Sequence, residues 1–289
     1  MILTYLTLVC FCGFRFFVGN DYAGYVKHFS LISIYEENVI FIEPGYYALN
    51  LLFKWSPVGY FYVFFIATAL SYFFILRQLC YERILKWGIF SLVSLGCLIW
   101  MNDIIRQGIA FSIFIYSLRY MKKGDFLSYF ICVAIACLFH YSAVVLLFFY
   151  FLRYLRLSSI VWILLIILTF VLQYAGIFRE LLKSLIAMIP YYGAYANKAD
   201  QYFVTGSVVG IGLIYKQLIA MCIALFYPKI SNKFYATLFL SGCVLDNIFL
   251  GTFIFERISN YLVYTNIMVF PYFFKSVCSQ RIRFLVVYI

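Results

Sequence analysis

The chain has 289 residues, of which 66% are hydrophobic, 23% aromatic and only 11% charged. That balance excludes a disordered chain and an ordinary soluble domain, because apolar runs longer than a soluble core requires recur from end to end. The net charge of +11 would raise nucleic acid as a partner for a soluble protein. Here the basic residues cluster in short loops between apolar runs, where a membrane accounts for them and no nucleic-acid partner is expected.

In chain order the apolar runs fall at 1–17, 58–76, 87–101, 104–121, 126–139, 141–152, 160–176, 207–227, 234–255 and 259–275. Most approach the roughly 20 residues that a membrane-spanning helix needs. They are continuous and lack the alternation of barrel strands, and a backbone in lipid must satisfy its own hydrogen bonds. The expected fold is therefore all-α: a polytopic transmembrane helical bundle of about ten spans, forming a single integral-membrane domain over 1–289. The first run lacks a basic leader and an A-x-A site, so it reads as a retained helix. Nine cysteines are present, most inside apolar runs and with no CxxC or Cys/His spacing. They read as small apolar fillers, and no metal or other cofactor is expected.

The stretch 126–152 is either one long helix or a hairpin turning at His140. Basic residues favour the hairpin. With the loop at 77–86 inside, a turn at His140 also keeps Arg153, Arg156, Lys229, Lys233, Lys275, Arg281 and Arg283 on the cytoplasmic side. Each leg is short, so the hairpin is expected to be re-entrant. Both termini are then cytoplasmic, and two longer loops, 18–57 and 177–206, face outward. Arg15, Asp21, Glu43, Asp103, Arg106, His140 and Arg257 fall at the ends of runs or in these loops, on that outer side. Ionisable groups at a bilayer are costly unless they face a polar cavity or a partner. Gathered on one side, they suit an anionic, phosphate-bearing lipid.

Five segments carry a resemblance. They are Gly13-Phe14-Arg15-Phe16-Phe17-Val18-Gly19-Asn20-Asp21-Tyr22 with Tyr25 and Phe29; Glu43-Pro44-Gly45-Tyr46 with Leu49-Asn50; Asp103-Ile104-Ile105-Arg106-Gln107-Gly108-Ile109-Ala110; Ala136-Cys137-Leu138-Phe139-His140-Tyr141-Ser142-Ala143; and Glu256-Arg257-Ile258-Ser259-Asn260-Tyr261. In this order they resemble the motifs of the EpsG/Wzy family of bacterial polysaccharide polymerases. The resemblance implies an O-antigen or capsule polymerase of the bacterial inner membrane. Such an enzyme joins oligosaccharide repeat units carried on undecaprenyl diphosphate, as donor and as acceptor, at the periplasmic face. Membrane lipid and a chain-length regulator protein are the further partners it brings into view.

Such a transfer needs fixed cations for the departing diphosphate and a base for the acceptor hydroxyl. Arg15, Arg106 and Arg257 are the candidate diphosphate ligands, since guanidinium grips phosphate oxygens in pairs; otherwise each caps a span end by snorkelling. His140, Asp21 and Glu43 are the candidate bases. Asp21 equally fits pairing with Arg15 or Arg106, and Glu43 before Pro44 equally fits an ordered turn. A direct displacement inverts the anomeric centre, and family resemblance favours it; a carboxylate nucleophile in a retaining route stays open. Tyr191, Tyr192 and Tyr195 either stack on sugars or belong to an aromatic interface belt. Lys216 lies inside a run and either snorkels, neutralises Asp246 or meets the diphosphate. A flippase for the same lipid-linked sugar and an O-antigen ligase are the alternative functions.

Overall fold

The computed structural model describes residues 1–34, 42–187 and 211–277, and among these every regular element is helical. The chain divides into two compact units, Met1–Arg153 and Tyr154–Ile289.

In the first unit, α1 (Ile2–Gly13) and α7 (Ile105–Lys123) flank α4 (Gly59–Tyr81), and α8 (Phe126–Cys137) packs on α7. α4 buries Val63, Phe64, Ala67, Ser71, Tyr72, Ile75, Leu76 and Leu79. Their spacing of three and four residues draws one stripe along the helix. With 23 residues it is about 35 Å long, more than the roughly 30 Å of hydrocarbon in a bilayer. α7 is enclosed, with Ile109, Ala110, Phe111, Phe114, Ile115 and Leu118 all buried. Its Ser112 and Ser117 hydroxyls remain satisfied by donating to the carbonyls of Ile109 and Phe114.

Some apolar runs are divided between helices. Within the described residues only α4 is both long and apolar enough to cross a membrane. A second crossing exists if α5 (Leu85–Ser94) and α6 (Cys97–Asp103) count as one, but they meet at 64°. The break falls at Gly96, in left-handed backbone with φ 78°. The run 259–275 is likewise two helices, Phe253–Val263 and Asn266–Val277, interrupted at Tyr264 and Thr265. The stretch 18–57, expected as a loop, contains α2 (Tyr22–Ile34) and α3 (Pro44–Leu52). Hydropathy sums pass over such breaks because the breaking residues are themselves apolar or neutral.

The turn at His140 is present. α8 stops at Cys137, His140 is extended (φ −157°, ψ 116°), and Tyr141–Val145 begins a 3₁₀ turn. Through α9 (Leu146–Phe149) and a further 3₁₀ turn, Tyr150–Tyr154, the chain then runs back along α8. Tyr129 Oη donates to the Leu146 carbonyl at 2.6 Å, and the rings of Phe126 and Tyr150 lie 5.0 Å apart. The 12 residues of α8 measure about 18 Å, well short of the hydrocarbon thickness.

The second unit comprises α10 (Ser159–Tyr174), α11 (Ile177–Ala187), α12 (Ile211–Leu225), α13 (Lys233–Phe249), α14 (Phe253–Val263) and α15 (Asn266–Val277). α13 is its centre, packed by α10, α12, α14 and α15. α10 buries Trp162, Ile166 and Thr169, while Ile160, Leu164, Leu168 and Val171 are exposed. A helix apolar on its outer side as well as its inner one fits contact with hydrocarbon better than with water.

Candidate functional site

The site is built in the first unit, where segments from far apart in the chain meet at the start of α7. The first is the turn after α1. Gly19 has φ 102°, and a Cβ there would stand 3.0 Å from Asp103 Oδ1, so a side chain is excluded twice over. The Asp103 carboxylate accepts from the backbone N–H of Asn20, from Asn20 Nδ2 at 3.2 Å and from the backbone N–H of Asp21 at 3.4 Å. These donors open α2. A carboxylate from more than eighty residues away thus does the work of a local N-cap and complements the positive end of the helix dipole. Asp103 is structural here, and it fixes where α2 begins.

Arg15 lies in the same turn and is 6% exposed. Its guanidinium donates to the Asn102 carbonyl and rests over the Phe64 ring at 5.1 Å. With Thr68, Ser71, Tyr72 and Asn102 it lines a small pocket. Its Nε is buried with no hydrogen-bond partner. Among the described residues no carboxylate bonds Arg15. A buried guanidinium left so is electrostatically suited to an anion.

Glu43 joins the other segments. It is the N-cap residue of α3, with Pro44 at the first helical position, where a missing N–H costs nothing. Its side chain does not cap its own helix. Oε2 accepts from Arg106 Nη1 at 2.6 Å, and Oε1 lies 2.9 Å from His140 Nδ1. Backbone contact secures the arrangement: Gly45 N–H donates to the Leu138 carbonyl at 2.7 Å. A Cβ on Gly45 would lie 2.8 Å from that oxygen, so only glycine permits the approach. The Glu43-Pro44-Gly45 segment is thereby locked to the segment that carries His140.

Burial by itself would raise the Glu43 pKa. The His140 hydrogen bond and the Arg106 charge outweigh it and lower the pKa to about 2. Glu43 is therefore an ionised acceptor, and His140 Nδ1 must carry the proton between them. In a neutral ring Nε2 is then the basic nitrogen.

Arg106 stands at the second residue of α7, with its guanidinium 5.9 Å from the Tyr25 ring centre and 5.7 Å from that of Tyr46. Tyr25 and Tyr46 lie 5.8 Å apart, and Tyr25 also meets Phe64, the ring beneath Arg15. Arg15 and Arg106 thus flank one aromatic wall. Tyr25 and Tyr46 fall within the motif segments but were given no role of their own; in so aromatic a chain their contact with Arg106 shows only once α2 and α3 are folded.

Of the sequence-selected residues, the fold brings together Arg15, Glu43, Arg106 and His140. Asp21 lies at the start of α2, is exposed, and makes no ion pair with Arg15 or Arg106. Arg257 is exposed on α14, in the second unit. Tyr191, Tyr192 and Tyr195 lie outside the described residues.

In the second unit Lys216 does pair with Asp246, Nζ to Oδ2 at 2.7 Å. Ser259 Oγ donates to Asp246 Oδ1 at 3.1 Å, and Glu256 Oε1 accepts from the Gly251 N–H at 2.7 Å. Asn247 bonds both Thr169 Oγ1 and the Ile166 carbonyl. These bonds tie α12, α14 and α10 to α13.

No curated protein and no solved structure is similar to this chain. The EpsG family profile matches residues 1–289, the whole length, and the chain belongs to the EpsG family.

Proposed function

We propose that the chain is a membrane glycosyltransferase that polymerises polysaccharide repeat units carried on undecaprenyl diphosphate, as an O-antigen or exopolysaccharide polymerase. It works at the periplasmic face of the bacterial inner membrane, with both termini cytoplasmic. The observation that supports this best is Glu43. It is a buried carboxylate shared between Arg106 and His140, so three distant motifs form one charged unit. A buried carboxylate is costly unless it is paired, and this one pairs at once with a guanidinium and with an imidazole, a group that can exchange a proton near neutral pH.

The step is a single inverting displacement. The acceptor hydroxyl oxygen attacks the anomeric carbon of the donor, and the bond from that carbon to the phosphate oxygen breaks. His140 Nε2 takes the hydroxyl proton, and the lipid diphosphate leaves with the bonding electrons. Glu43 holds the imidazole tautomer and stabilises the imidazolium, as the carboxylate of a catalytic triad does. The three arginines divide the work. Arg106 carries a charge already balanced by Glu43 and chiefly places that carboxylate. Arg15, which no carboxylate bonds among the described residues, receives the growing charge of the diphosphate. Arg257, exposed on its own unit, stays a candidate phosphate ligand by the family resemblance of its motif alone. Asp21, exposed at the start of α2, is the second candidate base; Tyr191, Tyr192 and Tyr195, outside the described residues, are candidate sugar contacts. A chain-length regulator protein is the proposed protein partner.

Deletion of the gene tests the reading. A polymerase defect leaves surface lipid carrying a single repeat unit. Bare acceptor would point instead to a flippase or a ligase and would overturn the proposal.

A further inference from the structure

Phe64, Thr68 and Ser71 stand at i, i+4 and i+7 of α4, the spacing that sets residues in one row along a helix. The Phe64 ring lies under the Arg15 guanidinium, and Thr68 and Ser71 continue the row into the pocket that Arg15 also lines. Each of the two is 6% exposed, and among the described residues neither hydroxyl makes a hydrogen bond. Neither oxygen is sealed from solvent. Other buried hydroxyls of this unit behave differently. Ser91, Ser112 and Ser117 donate back to carbonyls of their own helices, as a helical hydroxyl commonly does. Two neighbouring buried hydroxyls that open on a pocket and have no partner there mark a place for an acceptor.

Charge tells which acceptor. Beside the hydroxyls the polar residues of the pocket are Arg15, Asn102 and Tyr72, and no carboxylate lines it. The Tyr72 hydroxyl already donates to Cys12 Sγ at 3.3 Å. Donors beside a guanidinium with no counter-ion suit an oxyanion. Size narrows the choice further. The pocket has room for about one oxygen atom, so a single phosphoryl oxygen enters it while the rest of the group stays at the mouth beside Arg15.

We propose that Thr68 and Ser71 donate hydrogen bonds to one phosphoryl oxygen of the departing lipid diphosphate, with Arg15 on the same group. This rests on the polymerase reading. The hydroxyls hold the leaving group, and no proton moves.

The test uses the full-length protein in nanodiscs, with radiolabelled farnesyl diphosphate as a short-chain probe for the departing lipid and farnesol as the control that lacks phosphate. Equilibrium binding of each is measured. Thr68→Val and Ser71→Ala each remove one donor with little change of shape. Each is expected to weaken farnesyl diphosphate by about tenfold or more, the scale of one hydrogen bond to a charged group, and to leave farnesol within about twofold. Thr68→Ser, which keeps the hydroxyl, should bind the probe as the parent does. If Thr68→Val fails to fold, Ser71→Ala, which removes a single oxygen, carries the test. Unchanged farnesyl diphosphate binding in the folded variants overturns the proposal, and so does an equal loss of farnesol. Sugar transfer by the parent chain, from the lipid-linked repeat unit that accumulates in cells lacking it, separates the two ideas. If the parent polymerises and the variants bind the probe normally, only the hydroxyl role fails. If the parent transfers no sugar while the variants lose the probe, the polymerase reading fails and the phosphate pocket stands.

Discussion

Glu43 in the first unit and Asp246 in the second are buried carboxylates that each hold a cation, in different settings. Glu43 is 4% exposed and its partner Arg106 21%; Asp246 is 6% exposed and its partner Lys216 42%. Asp246 lies inside the regular helix α13 and reaches across to α12 and α14. It ties helices together, and its lysine reaches toward the surface. Glu43 sits where helix gives way to turn, beside a proline and a glycine that admits another backbone. Its partners come from the first turn of α7 and from the extended residue between two helical legs. Asp246 works from regular helix. Glu43 works from irregular backbone, which a membrane tolerates only where it is buried or lines a cavity, and on the proposed function that backbone presents the His140 imidazole to substrate.

The largest difference should appear on removing charge without removing shape. Glu43→Gln is expected to lower polymerisation by about 10²–10⁴-fold while the protein still folds, the range seen when a base loses its orienting carboxylate. Polymer length on a gel and turnover in nanodiscs read it. Asp246→Asn should do the reverse: a lower melting temperature for the detergent-solubilised protein, with turnover per folded molecule kept. If Asp246→Asn also abolished turnover of folded protein, the contrast between the units would be lost.

Arg15→Ala comes next, with an expected loss of about 10²–10³-fold in turnover, typical of one lost contact to developing charge. Arg15→Lys should recover little of it, because an ammonium lacks the planar fork. Full activity in Arg15→Ala would move the diphosphate elsewhere.

The smallest effect concerns pH. A carboxyl held near 2 when folded and at its ordinary value of 4.5 when unfolded contributes stability that is complete above the unfolded value. It is lost only as pH falls through the folded value. Between about pH 5 and 8 the Glu43 carboxyl therefore stays ionised in folded and unfolded chain alike and adds no titration of its own. In thermal melts over that range the gap between Glu43→Gln and the parent should hold or narrow as pH rises, narrowing where His140 loses the proton that Glu43 favours; a gap that widens with pH above 5 would contradict the ionised state.

Part of this was legible in the amino-acid order. The turn at His140 followed from where basic residues fall, and the backbone does double back there. Arg15, Glu43, Arg106 and His140 stood out because charge is rare in such a chain. Their pairing was not legible: Glu43 was as good a base as a turn residue until Gly45 met Leu138. Nor was the role of Asp103, because a helix cap drawn from a distant segment leaves no local pattern. The breaks inside apolar runs were not legible because nearly every face is apolar, so hydropathy has no trough at Gly96 or Thr265. Lys216 had three readings, and only the packing of α12 on α13 selected Asp246.

The most direct measurement is a double-mutant cycle on polymerisation rate with Glu43→Gln, His140→Gln and the pair together. If the carboxylate acts through the imidazole, the double variant is about as slow as the slower single one, as in catalytic units that work together. Losses that simply multiply, in variants shown to be folded, would mean that the two groups act independently and that the shared unit at the start of α7 is not what performs the transfer.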